Sequence, residues 1–147
     1  MRSRAPEASA SVGTLLKISA VVRNSGSRHE VAVATAGAEQ SLAVPGKPAG
    51  GSTVSGGEFL MLALATCYCN DLYRGARSLG ISIADVEVEA SAEFPGVGLA
   101  ATNVRYRARV SSSASAVEIE GLIRRTDAVA EIHNTVRSGV PVILENW

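Results

Sequence analysis

Hydrophobic and polar residues alternate from the first stretch that carries a clear signal. In "TLLKISAVVR" (residues 14–23) Leu16, Ile18, Ala20 and Val22 fall on one face of an extended chain, the mark of a half-buried strand. "NSGS" (24–27) is turn chemistry. "HEVAVAT" resumes the alternation with Val31 and Val33, and "QSLAV" continues it, so a three-stranded meander is predicted. "PGKPAGGSTVSGG" (45–57) is a loop by composition. It contains neither G-x-x-x-x-G-K-[ST] nor G-x-G-x-x-G, so its glycines do not spell a phosphate cradle.

The period then changes. "SGGE" is an S-x-x-E capping box in which Ser55 and Glu58 open a helix. No residue from 59 to 65 is polar, and a helix apolar on nearly all sides is a buried one. Asn70 and Asp71 make it amphipathic, and Gly80 is its natural stop. Two further alternating runs flank the turn "PGVG". On the first, Val86, Val88, Ala90 and Phe94 face one way and Glu87, Glu89 and Glu93 the other. On the second, Val104, Tyr106, Ala108 and Val110 face the core, and Arg105, Arg107 and Arg109 face out. A tight hairpin sets Glu87 opposite Arg109 and Glu89 opposite Arg107. Such a charge ladder is worth ~0.2–1 kcal/mol per pair, and it accounts for the arginines better than an anion-binding stripe does.

A second capping box, Ser115 with Glu118, opens a late helix. Ile119, Leu122, Ile123, Thr126, Val129, Ala130, His133 and Val136 make its inner face at helical spacing. Arg137 suits its last turn and Gly139 its cap. "VPVILENW" reads as a final strand, with Pro141 at its start or on an edge. The predicted order is β-β-β-α-β-β-α-β, an α+β domain. It spans residues 14–147, behind an N-terminal tail at 1–13. An apolar helix between thin sheets needs more cover than one small chain gives, so a homodimer is expected.

Composition narrows the function classes. Aromatic residues are 4% of the chain, so aliphatic side chains do most of the packing. Fourteen basic and fourteen acidic residues give zero net charge, which argues against nucleic acid or an anionic membrane as an obligate partner. No run approaches the ~20 apolar residues of a membrane span. "MRSRAPEASASVG" lacks the apolar core of a signal peptide, and a cytoplasmic protein is expected. Two cysteines are too few for a secreted disulfide framework.

Those cysteines, Cys67 and Cys69 in "LALATCYCNDLYR", carry the candidate chemistry. As metal ligands they need more partners. His29 and His133 are the two histidines, and neither lies in a metal-type motif; no metal and no cofactor is expected. As a disulfide they are poorly placed, because residues two apart on a helix diverge by about 200°. One reactive thiol, or a pair of small core residues, remains open. Cys67 sits about three turns inside the helix, too deep for the N-terminus at Ser55 to activate it. Any activating group must come from elsewhere in the fold or from a second chain.

"SGGEFLMLALATC" resembles, without gaps, the segment around the first cysteine of the OsmC/Ohr family, the osmotically inducible and organic-hydroperoxide-resistance proteins. "RSLGI", a Glu-rich strand and "NTVRSGVPVIL" agree with its later parts, and the resemblance covers roughly residues 15–144. It implies an intertwined homodimer with helices packed centrally and sheets outside. It also implies reduction of small organic hydroperoxides in oxidative-stress defence. The first cysteine, Cys67 by position, would become a sulfenic acid; a second cysteine on the late helix resolves it, and an external thiol restores the pair.

The chain departs from that pattern. Ala130 stands at the resolving cysteine's position, and Gly57 and Gly56 replace an acidic residue and a proline at the helix start. In the peroxidase branch that acidic residue helps hold an arginine, for which Arg23 or Arg28 would be this chain's candidates. The expectation is a one-cysteine hydroperoxide reductase with Cys67 as catalytic thiol. His133, one turn beyond Ala130, is the candidate activator, since a nearby imidazolium lowers a thiol pKa; the alternative is a satisfied interior histidine. The rival function is a non-catalytic dimer that binds a small apolar ligand.

Overall fold

Short alternating strands pair antiparallel in the order β1-β2-β3, with β1 at Ile18–Ser25, β2 at Arg28–Thr35 and β3 at Ala38–Leu42. The β2–β3 turn is tight. Thr35 pairs with Ala38 across Ala36 and Gly37, whose φ angles are 49° and 83°. Two positive φ values in a two-residue loop match the right-handed twist of the strands. This computed structural model describes residues 15–147 and divides into two compact units, one ending at Val54 and one spanning Ser55–Trp147. The tail expected at 1–13 lies outside the described residues. The meander forms where alternation predicts it, but β1 is exposed along its whole length, with Ile18 and Val22 open to solvent. A thin sheet buries a face only against another layer.

The second unit carries the candidate chemistry. Helix α1 runs Gly56–Leu79 and starts as the capping box predicts. The Ser55 N–H donates to Glu58 Oε1 at 3.0 Å, and the Glu58 N–H donates to Ser55 Oγ at 3.1 Å. Gly80 ends the helix with a left-handed φ of 68°. Strands β4 (Ile83–Glu93) and β5 (Thr102–Ser112) form the predicted hairpin, with Glu87 opposite Arg109 and Glu89 opposite Arg107. Both pairs close as ion pairs, Arg107–Glu89 at 2.9 Å. Their side chains are more than half exposed, so they fix register more than they add stability.

Helix α2 (Ala116–Val129) repeats the capping box at Ser115 and Glu118. The core joins Tyr68, Leu72 and Ala76 of α1 to Leu122 of α2 and to Ala130, with Val86, Val88, Tyr106, Ala108 and Val110 of the hairpin packed against them. Gly75 lets α2 approach: a Cβ there would stand 3.1 Å from Leu122 Cδ1.

Three expectations are corrected. The late helix is broken: Ala130 takes φ −70° and ψ 108°, and a separate helix α3 runs Glu131–Ser138 to the predicted cap at Gly139. "VPVILENW" forms no strand, and Val142, Ile143 and Leu144 are 97%, 73% and 96% exposed. A strand exists only by pairing with an edge, and this segment meets none among the described residues. The apolar start of α1 is only partly covered, with Leu62 57% exposed; Phe94 and Val104 on the hairpin are also open. One hairpin and two short helices cover one side of a 24-residue helix, not its circumference.

Leu122→Ala should lower unfolding free energy by about 2–5 kcal/mol, the cost of a large-to-small change in a packed core. Leu144→Ala should stay within about 0.5 kcal/mol. Denaturant titration of both variants checks the assigned core, and equal losses would overturn it.

Candidate functional site

Helix period and the break at Ala130 assemble the site. Cys67, Asp71 and Arg74 lie four and three residues apart on α1, so they share a face. Opposite them stands the N-terminal turn of α3, with Ala130 as N-cap and Glu131 and Ile132 next. Ala130 has no side chain to cap that turn. The sulfur supplies an acceptor instead: the Ile132 N–H donates to Cys67 Sγ.

Two carboxylates complete the surroundings of the sulfur. The single Cys67 S–H has two acceptors to choose between, Asp71 Oδ2 and Glu131 Oε2, each 3.8 Å from Sγ. The other oxygen of each acid faces Arg74, whose Nη2 lies 2.7 Å from Asp71 Oδ1 and 3.5 Å from Glu131 Oε1. Each acid therefore spans from the guanidinium to the thiol. One oxygen of each acid and the sulfur lie within 4.8 Å of one another, and the cation they hold is Arg74.

Electrostatics keep this thiol protonated at rest. Burial raises the Cys67 pKa above its ordinary value, and the Asp71 and Glu131 charges raise it further; the Ile132 N–H opposes them. The two acids diverge. Asp71, with a side chain 6% exposed, is raised by burial and by Glu131 against the pull of Arg74. Glu131, 65% exposed, is lowered by the backbone N–H at the helix start and by Arg74.

His133 is buried at 3% exposure, and neither ring nitrogen has a hydrogen-bond partner among the described residues. It packs edge-on to Tyr106 at 4.4 Å between ring centres, with Tyr68 at 5.7 Å. Tyr68 donates to the Ile123 carbonyl at 2.7 Å, and Tyr106 to Asp127. Burial lowers the His133 pKa and Arg137 lowers it further, so the ring is neutral near pH 7. Burial, followed by the Asp127 charge, pushes Tyr68 up to about 12.

The structure thus gives Cys67 the polar partners that sequence reasoning lacked. Asp71 and Arg74 were legible as one helix face. Glu131 and the Ile132 N–H were not, because they arrive through the break at Ala130. His133 belongs to the ring cluster, and its contacts are aromatic. Cys69 borders a shallow depression with Ala65, Thr66, Asn70 and Val88 of β4, and both cysteines are free. Arg23 and Arg28 belong to the other unit, where Arg28 pairs with Glu30 at 2.7 Å.

Comparison with known proteins gives a consistent likeness. Residues 49–145 match the family model described as OsmC-like protein. No curated protein matches. Among solved structures the chain is similar to an OsmC-like protein from Mycoplasma pneumoniae (17% identity, 84% of this chain and 88% of that one, TM-score 0.60). It is also similar to an OsmC-like protein of unknown function from Vibrio cholerae (14%, 81% and 92%, 0.58). A third likeness is to an OsmC-like hydroperoxide resistance protein from Jannaschia sp. CCS1 (15%, 88% and 89%, 0.50). At these identities the structural matches speak for the fold alone, which is α+β, with two sheets and three helices among the described residues.

The neutral His133 makes stability depend on pH with a definite sign. Its folded pKa lies below the unfolded value of ~6.5, so the unfolded chain takes up its proton first. The contribution is whole above pH 6.5 and is lost as pH falls, by up to about 1.4 kcal/mol per pH unit. His133→Phe should flatten the fall in melting temperature between pH 7 and pH 5 relative to the parent. Parallel curves would show that the ring takes up its proton as freely folded as unfolded.

Proposed function

Because the chain belongs to the OsmC-like protein family, we propose that it reduces small organic hydroperoxides through one thiol, Cys67. The observation that carries this reading is the seat of the sulfur. It is half-buried, takes an N–H from the first turn of α3 and keeps acids within reach. A helix N-terminus stabilises negative charge that develops on sulfur during attack. The similar Jannaschia protein is called a hydroperoxide resistance protein, in keeping with that chemistry.

The cycle needs an external resolver. Ala130 stands where the family's second cysteine would be, and Cys69, two residues from Cys67 on one helix, projects to a different side. In the first step the Cys67 sulfur attacks the outer oxygen of the hydroperoxide, giving a sulfenic acid and an alcohol. Two equivalents of a small thiol then restore the cysteine, releasing water and a disulfide. A cytoplasmic thiol pool suits that demand. His133 enters as a neutral, hydrogen-bond-free ring behind the site. Its place is to pack Tyr106 of β5 against Tyr68 of α1. A second copy of the chain is part of the proposal, since Leu62, Val142, Ile143 and Leu144 leave more apolar surface open than a monomer usually shows.

One observation favours a second reading. Burial and two carboxylates raise the thiol instead of lowering it, which suits a small-ligand-binding dimer that has lost redox activity. A pulse of tert-butyl hydroperoxide on the reduced chain, with a sulfenate trap and peptide mapping, separates the two. The expected result is an adduct on Cys67 and none on Cys69, with reductant-dependent turnover that Cys67→Ser abolishes. A Cys67 that stays reduced, or a serine variant that turns over at the parent rate, would leave the binding reading standing.

A further inference from the structure

We propose that Asp71 is a catalytic proton carrier that takes the Cys67 thiol proton and delivers it to the alkoxide leaving the hydroperoxide. The inference rests on the hydroperoxide-reductase reading and adds a residue that the family likeness did not supply. In this step the S–H bond breaks as an S–O bond forms to the outer peroxide oxygen. The O–O bond breaks, sulfur loses two electrons, and the hydroperoxide gains them. The proton on sulfur passes to Asp71 and then to the alkoxide, so thiol and hydroperoxide become sulfenic acid and alcohol with nothing left over.

The geometry selects Asp71 over its neighbour. Both acids offer Cys67 one oxygen at 3.8 Å and give the other to Arg74. Their surroundings differ. The Asp71 side chain is 6% exposed and that of Glu131 is 65% exposed. A carboxyl shielded from water holds a proton near neutrality more readily than one in water. Paired acids pushed apart in this way divide their roles, one carrying the proton and the other staying charged. Burial and the Glu131 charge both push Asp71 upward, and Arg74 restrains it. Arg74 also fixes orientation, because its 2.7 Å grip on Oδ1 leaves Oδ2 turned to the sulfur.

The charged and titratable groups facing Asp71 are few: Cys67 and Arg74 on α1, and Glu131 on α3, with His133 of α3 within electrostatic reach. Arg125 of α2 lines the same cleft as Asp71 and Arg74. None besides Asp71 is at once buried, acidic and in contact with the sulfur.

Two reactions of one sulfur test the idea. Iodoacetamide needs the thiolate and no proton donor. A hydroperoxide needs the thiolate and a proton for its leaving alkoxide. In the parent chain, the alkylation rate should fall about tenfold for each pH unit below the Cys67 titration. The rate with tert-butyl hydroperoxide should instead stay level down to the Asp71 titration, because thiolate with protonated acid and thiol with ionised acid are one protonation state. Asp71→Asn should lower the hydroperoxide rate roughly 10²-fold. It should also raise alkylation at pH 7 about three- to tenfold, since a negative charge beside the thiol is gone. Asp71→Glu should recover part of the hydroperoxide rate. A parent whose two rates fall together with pH overturns the inference, and that needs no variant to fold. So does an Asp71→Asn chain whose hydroperoxide rate rises alongside alkylation. A parent that alkylates but ignores hydroperoxide overturns the reductase reading itself, and the proton carrier with it.

Discussion

The break in the late helical segment at Ala130 is the constraint on which the second unit depends. A straight helix through residues 116–138 would leave no free N–H group near Cys67. The break exposes carbonyls at the end of α2, and α3 satisfies them itself. Arg137 Nη1 donates to the Asp127 carbonyl at 3.3 Å and Asn134 Nδ2 to the Ala128 carbonyl at 3.1 Å. Arg137 also clasps the Asp127 carboxylate at 2.5 Å. At the other end of the break, the Ile132 N–H finds the cysteine sulfur. Unpaired backbone groups cost about as much as a lost hydrogen bond, so the kink persists because side chains from one turn of α3 and one sulfur of α1 complete it.

That arrangement sets up a contest at the sulfur. A helix N-terminus is worth about 0.3–1 kcal/mol to a nearby anion, ~2 kcal/mol when partly buried. A unit charge at 4 Å is worth about 4 kcal/mol at an effective dielectric of ~20, before solvent screens it. Burial of the sulfur decides the contest: it raises the Cys67 pKa most, the Ile132 N–H opposes it, and the Asp71 and Glu131 charges add to the rise. Proton and charge are thus coupled: a proton on Asp71 removes one of the two charges that oppose a thiolate next door. A thiol that ionises only as its neighbour is protonated differs from one held permanently as thiolate.

What the sequence revealed follows from how far each signal reaches. Both capping boxes, the cap at Gly80 and the pairing of Glu87 with Arg109 were legible, because each depends on residues a few positions apart or on a hairpin's strict period. The break at Ala130 was not, because no glycine or proline marks it and alanine is the best helix former. The inner-face spacing ran through it: Leu122, Thr126, Ala130 and His133 are buried, whereas Val129 and Val136 of the same predicted face are 56% and 38% exposed. Periodicity found the buried residues, overshot at two valines, and missed that two helices carry them. "VPVILENW" alternates well enough to read as a strand, but its pairing edge is a property of the whole assembly. The family resemblance singled out Cys67, which the fold surrounds with Asp71, Glu131 and Arg74. It offered no hint of Asp71 and Arg74, which any helical wheel places beside Cys67.

The missing second cysteine then has a structural consequence. Ala130 is fully buried, its methyl packed with Tyr68, Leu72 and Leu122. The position that would hold a resolving thiol is therefore committed to the core and to the kink, and the sulfur is approached from elsewhere. The open flank is formed by Glu131 and Arg74, whose side chains are 65% and 58% exposed. A small molecule that reaches the sulfur by this flank crosses this ion pair. At 3.5 Å and in water it holds weakly, so an incoming ligand displaces it at little cost. The buried Asp71–Arg74 contact at 2.7 Å stays in place beneath. A weak outer pair and a firm inner one let the entrance open while the acid that faces the sulfur keeps its orientation.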